Sequence, residues 1–290
     1  MPLPGLTDQQ SKLALAKGNL FVEACPGAGK TRAIVARFLR RTAGETRKGI
    51  GLLSFTNAAI DEVTKRCGQQ PDSLLAPNFV GTFDSFINRF VTRPLYVREY
   101  EQTPRFIESW QNISSASFRI SDMDRMPDLH LDWFEFGPSL RAVLRVDWLS
   151  VRNQRTFGPL IATRRGVMEA RAATICRDLV RRGTLSCAAS RAVAAGHLSD
   201  PATYDLVGSL LAARFKEVIV DEAQDCGPEE LLVLRLLQRF GVTIVAVADL
   251  DQSIFEFRRA DPAAVRTFAV GLGPPCRSMA IFAAHRLSVP

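Results

Sequence analysis

A chain of 290 residues, 47% hydrophobic and 23% charged, can bury one large core or two ordinary ones, which excludes a disordered class. Its six cysteines (Cys25, Cys67, Cys176, Cys187, Cys226, Cys276) include no C-x-x-C pair, which excludes a disulfide scaffold and a zinc-ligand pattern. A net charge of +7 points to an anionic partner, nucleic acid first; with no leader pattern and no apolar run of spanning length, the expected location is cytoplasmic.

Short apolar, often β-branched runs predict strands at 19–24, 50–55, 79–81, 217–221 and 242–248. Helical patterns at 31–41 and 228–240 fall between them. This alternation predicts an α/β fold, a mainly parallel sheet with helices on both faces. One interval breaks it. From about 92 to 204 the strand signals fade, all three Trp (Trp110, Trp133, Trp148) appear, and Arg-rich helical stretches dominate, 164–182 the clearest. The expected organisation is one domain in two parts, 1–92 and 206–290, interrupted by a mostly helical insertion at 93–205. Trp110 and Trp133 read as core anchors, and most of the insertion's arginines as a solvated face.

"VEACPGAGKT" follows the first predicted strand and opens the first long helix, the context of a phosphate-binding loop. Ala24, Cys25, Pro26, Gly27, Ala28 and Gly29 would form the loop, its glycines turning backbone amides inward as an anion nest. Lys30 would reach the β- and γ-phosphates, and the Thr31 hydroxyl would hold Mg²⁺. The alternative is an ordinary glycine turn before a surface helix. Ala24 stands where such loops usually open with Gly.

"FKEVIVDEAQD" supplies the second half of such a site. Its apolar run ends at Asp221-Glu222, at the carboxyl end of a predicted parallel strand, where open α/β sheets bind ligands. Asp221 is the candidate Mg²⁺ carboxylate and Glu222 the candidate general base. The alternative is that the pair only caps the next helix. Loop and carboxylates together predict a nucleoside triphosphatase.

Several further segments are more specific. "LTDQQ" (6–10), "ACPGAGKTR" (24–32), "SFTNAAIDEV" (54–63), "VGTFDSF" (80–86), "VDEAQD" (220–225), "ADLDQSIFEFRRA" (248–260) and "CRSMAIF" (276–282) occur in the order found in UvrD/Rep-like superfamily 1 DNA helicases, and the chain resembles that family. The resemblance implies the first RecA-like domain of such a motor, using ATP and Mg²⁺ and moving 3′ to 5′ on single-stranded DNA. It implies that Gln10 reads the adenine edge, Arg32 stacks on the adenine face, Gln252 couples the γ-phosphate to the nucleic-acid site, and Arg277 acts as an arginine finger. Phe55, Thr56 and Asn57, then Thr82 and Phe83, then Phe257 and Arg258, are the implied strand contacts, the aromatic rings offering platforms for bases.

Four positions depart from the family pattern: Asp84 for His, Ala248 and Arg259 for Gly, and Cys276 for the Tyr that sandwiches adenine. The sequence also ends at Pro290, soon after the Arg277 motif, without a second RecA-like domain. The expectation is ATP binding with slow hydrolysis, and a partner domain supplied in cis or in trans. The competing expectation is a non-motor module that binds ATP and nucleic acid and completes a partner.

Overall fold

The computed structural model describes residues 3–25, 27–43, 47–111, 113–120, 128–249, 262–272 and 277–281, with backbone alone at 262 and 277–281. The chain forms two compact units, Met1–Phe86 together with Tyr204–Pro290, and Ile87–Thr203.

In chain order the elements begin with α1 (Asp8–Leu15), β1 (Leu20–Ala24), α2 (Lys30–Thr42), β2 (Gly49–Ser54), α3 (Asn57–Arg66), β3 (Phe79–Thr82) and α4 (Phe83–Ile87). They continue with α5 (Arg93–Tyr100), β4 (Arg105–Ile107), β5 (Ser117–Phe118), β6 (Leu129–His130), β7 (Phe134–Phe136), β8 (Ala142–Leu144), α6 (Val151–Arg181), β9 (Thr184–Ser186) and α7 (Cys187–Leu198). The last are α8 (Pro201–Arg214), β10 (Phe215–Val220), α9 (Pro228–Arg239), β11 (Thr243–Ala248), α10 (Pro262–Gly271) and β12 (Arg277–Ile281).

The first unit is an α/β domain on a six-stranded sheet of order β12-β1-β11-β10-β2-β3, with every pairing parallel. Its central strands carry continuous apolar stretches because both faces are covered. From Val218 to Val220 and from Ile244 to Ala248 every side chain is buried. Leu20, Val22, Ile34, Phe38, Leu52, Ile219, Val245 and Val247 share one core beneath α2. In a parallel sheet all carboxyl ends lie along one edge. The chain leaving Ala24, Ser54, Val220 and Ala248 therefore emerges on the same side, from four strands adjacent in the order β1-β11-β10-β2.

The second unit has its own core of Trp110, Phe118, Phe134, Phe136, Phe157, Met168 and Leu185, against which Trp133 packs. Trp133 meets Phe157 edge-on at 5.2 Å, whereas Trp148 is exposed beneath the Arg145 guanidinium. The 31-residue α6 is the main helix, longer at its amino end than the pattern suggests. Among the described residues six short strands accompany the helices: β4 pairs with β9 in parallel, β5 with β6 and β7 with β8 antiparallel. At two or three residues each they are too short for alternation to reveal.

Candidate functional site

The loop leaves β1 at Ala24, which is 4% exposed and packed in the core. A methyl group there fills space, which explains why alanine can stand where glycine is usual. Gly27 and Gly29 both have φ of 73°, a conformation that side-chain-bearing residues rarely adopt. A β-carbon on Gly29 would also come within 2.5 Å of Gln10 Nε2. Pro26 lies outside the described residues.

Gln10 explains that contact. Its Nε2 donates to the Ala28 carbonyl at 2.9 Å, and its Oε1 accepts from the Thr7 amide at 3.0 Å within a capping box that starts α1. The carboxamide therefore braces the loop from behind; one N–H and one lone pair remain for a ligand. Arg32, exposed on the first turn of α2, lies over Gly5, where a β-carbon would meet its Nη2 at 2.9 Å. Gln10 and Arg32 thus flank the same N-terminal segment.

The start of α2 is open. Helices α1, α3, α6 and α7 begin under a hydroxyl, from Thr7, Thr56, Ser150 and Ser186 respectively. Helix α2 begins under Gly29, which has no side chain to cap it. Its first amides and the positive end of its dipole face away from the helix with no side-chain acceptor from that position. Lys30 and Thr31 form its first turn.

Strand β10 delivers Asp221 and Glu222. The Asp221 amide still donates to the Leu53 carbonyl at 2.8 Å, and Asp221 Oδ1 accepts from the Glu222 amide at 3.0 Å. Glu222 then turns sharply, with φ of 56° and ψ of 44°, in the left-handed region that costs a non-glycine residue about 1–2 kcal/mol. Asp221 is 3% exposed. Burial first, then the neighbouring Glu222 charge, push its carboxyl up to about 7; Lys30 and the Glu222 amide offset this in part.

Lys30 closes the arrangement. Its Nζ donates to Glu222 Oε2 at 3.1 Å and to Asp249 Oδ2 at 3.4 Å. Asp249 follows β11 directly and is 1% exposed; its Oδ1 has no partner among the described residues, and neither has the Ser54 hydroxyl at the end of β2. Gln224 links the two carboxylate arms, donating from Nε2 to Glu222 Oε2 at 2.7 Å and accepting the Asp249 amide on Oε1 at 2.9 Å. Gln224 and Asp249 both lie within quoted motifs, "VDEAQD" and "ADLDQSIFEFRRA", but the motifs assign neither a role. The signal for Asp249 was present: "TIVAVAD" is an apolar run ending in Asp, as "EVIVD" is.

One expectation needs correction. The rings of Phe55 and Phe83 are 4% and 0% exposed and stack on each other at 5.8 Å, with Phe86 against Phe83. They are core side chains and offer no platform to a base; Thr56 and Asn57 are exposed and Thr82 is half-buried. Thr56 caps α3 through the Ala59 amide, and Thr82 accepts from the Ser85 amide. Arg277 is described by its backbone alone. That backbone is level with Leu20, at the start of β1, whereas Ile281 is level with Ala24, where the loop departs. Gln252, Phe257, Arg258 and Cys276 lie outside the described residues.

Among the described residues no cluster of three or more His, Cys, Asp or Glu could hold a metal unaided, and no helix is long and apolar enough to cross a membrane. Any cation here would need ligands from the bound molecule as well.

The profile of the UvrD/REP helicase N-terminal domain matches residues 6–133 and 194–270. The unmatched stretch, 134–193, falls inside the second unit. DNA helicase II of Escherichia coli (strain K12) is 25% identical over 274 residues, and DNA helicase II of Salmonella typhimurium (strain LT2) is 24% identical over the same length. Each alignment covers 92% of this chain and 36% of the relative, so the chain spans about a third of the proteins it matches. With the matched segments holding the glycine loop, Asp221, Glu222 and Asp249, the chain belongs to the UvrD/REP helicase N-terminal domain family.

Proposed function

We propose that the chain is the ATP-binding domain of an ATP-dependent DNA helicase or translocase motor. The observation that carries this reading is the meeting of Lys30 with Glu222 and Asp249, at the carboxyl ends of adjacent parallel strands and beside an uncapped glycine loop. The open end of α2 and the amides around Gly27 and Gly29 form an anion site suited to the phosphates of ATP. When phosphate oxygens take the Lys30 ammonium, Glu222 is released to accept the proton of the attacking water.

The donor set also fits Mg²⁺. Asp221 is a buried carboxylate whose charge is disfavoured until a cation arrives, and Thr31 offers a hydroxyl from the first turn of α2. When bound, the ion neutralises charge on the β- and γ-phosphate oxygens. Gln10 and Arg32 are assigned to adenine, Arg32 carrying more of the contact because Gln10 also braces the loop. Single-stranded DNA is assigned to Thr56, Asn57 and Thr82, with Phe257 and Arg258 on sequence grounds and Gln252 as the coupling residue. Movement from 3′ to 5′ follows from the family resemblance.

Phosphoryl transfer is catalysed mostly by positioning and charge, so one domain should turn ATP over slowly and a second RecA-like domain, in cis or in trans, should raise the rate. The test is Glu222→Gln: hydrolysis should disappear while ATP still binds. Loss of binding would show that Glu222 has another task. A second reading, a non-motor module that binds ATP and nucleic acid, gains support from the buried rings of Phe55 and Phe83, which leave fewer surfaces to grip a strand. Failure of the chain joined to a second RecA-like domain to translocate on single-stranded DNA would favour it.

A further inference from the structure

We infer that Gln224 is a positioning residue of the hydrolytic site, a bridge that holds Glu222 and Asp249 apart and sets both relative to Lys30. This rests on the ATPase reading above. Gln224 is 4% exposed, so its carboxamide has no solvent to satisfy it and must use the two partners it has. Those partners also force its orientation. The Glu222 carboxylate can only accept and the Asp249 amide can only donate, so Nε2 faces the first and Oε1 the second.

Few side chains can do both at once. Glutamate would accept from the Asp249 amide but could not donate to Glu222; methionine has the length and neither function; lysine could only donate. The reach is also specific. Left-handed Glu222 turns the chain so that Gln224, two residues on, points back to the carboxylate of Glu222 while spanning to β11. Glu222 Oε2 consequently accepts from two donors, the Lys30 ammonium at 3.1 Å and Gln224 at 2.7 Å. Without the neutral donor, Glu222 keeps only its cationic partner among these two. The carboxylate then follows Lys30 when phosphate draws the ammonium away, and is no longer held where a base is needed.

The consequence falls on the chemical step. In the reading above ATP is held by the loop, by α2 and by Lys30, whereas the hydrogen bonds of Gln224 run to Glu222 and Asp249; Glu222 acts only as the reaction proceeds. Removing the bridge should therefore lower turnover and leave ATP affinity in place.

The experiment uses the full chain, with single-turnover ATP hydrolysis, equilibrium ATP binding and amide hydrogen exchange at Asp249 as separate readouts. Gln224→Met should slow hydrolysis by about 10- to 100-fold, leave the ATP Kd within about threefold, and speed exchange of the Asp249 amide. Gln224→Glu keeps an acceptor for that amide but puts a charge against Glu222. It should retain the slow exchange and still lose hydrolysis. Hydrolysis by Gln224→Met at the wild-type rate, or a loss of binding that matches the loss of rate, would overturn the inference. Unchanged Asp249 exchange in that variant would overturn the bridge itself. Absence of hydrolysis in the wild-type chain would instead count against the ATPase reading, while the exchange data would still decide the bridge.

Discussion

Arg37 and Glu217 form a two-pronged ion pair in the interior, Nε to Oε1 at 2.7 Å and Nη2 to Oε2 at 3.0 Å, with exposures of 0% and 2%. Arg37 Nη1 donates to the carbonyls of Leu13 and Ala16 at 2.7 and 2.8 Å, and Arg41 adds a bond to Glu217 Oε2 at 3.0 Å. The pair ties α2 at once to β10 and to the end of α1. Breaking such a pair leaves a buried charge without its counter-charge. Glu217→Gln should cost about 3–5 kcal/mol in urea unfolding, whereas replacing Arg37 and Glu217 together by methionine should cost less than the two single changes added. Additive losses would show that the two side chains act independently.

The Asp221 carboxyl gives a pH prediction. Its folded-state value of about 7 lies above the ordinary 3.8, so between these values the folded chain holds the proton more tightly than the unfolded chain. Its contribution to stability is present below about pH 4 and is lost as the pH rises through about 7. Asp221→Asn removes that loss. Without nucleotide, the variant should be more stable than wild type at pH 8, by on the order of 4 kcal/mol at most, and should converge with it near pH 4. Parallel stability curves across that range would contradict the assignment.

Gly29→Ala tests the brace behind the loop. The substitution strains a left-handed backbone and drives a methyl group into Gln10 Nε2, the donor to Ala28. A stability loss of about 1–2 kcal/mol is expected, with a larger loss of ATP affinity because the loop amides shift as well. Thermal melts and nucleotide titration of the same variant separate the two effects; full ATP affinity would mean that the loop geometry does not depend on this glycine.

Two phenylalanines should behave in opposite ways. Phe83→Leu reshapes the core and should lower stability by about 1 kcal/mol with no change in single-strand affinity. Phe257→Ala, if the ring stacks on a base, should weaken single-strand binding by about 1–3 kcal/mol with little effect on folding. Fluorescence anisotropy with a labelled oligonucleotide and urea titration distinguish them, and a drop in DNA affinity for Phe83→Leu would return that ring to the strand path.

Much of this was legible in the sequence because its signals are local. Strands β10 and β11 announce themselves by the apolar runs at 218–220 and 244–248, and the glycine loop lies between a strand and a helix. What the sequence did not carry is neighbourhood. That Asp249 reaches Lys30 depends on β11 lying between β1 and β10, an order that no local pattern in the sequence encodes. Arg277 was assigned from its motif, yet its place is fixed by a strand register that no motif records. Phe55 and Phe83 adjoin strand-contact motifs, but the facing of each ring depends on the neighbours it meets in three dimensions. The insertion's paired strands were missed for another reason, their length.

The bare glycine at the start of α2 has a consequence for folding as well as for binding. Four other helices arrive with their own hydroxyl to close the first turn, and α2 is left unfinished. A phosphate seated there would complete it, so part of the ligand's binding energy would become helix stability. In this domain the nucleotide would be both substrate and a missing piece of the tertiary structure, and product release would reopen the end of α2 in every cycle.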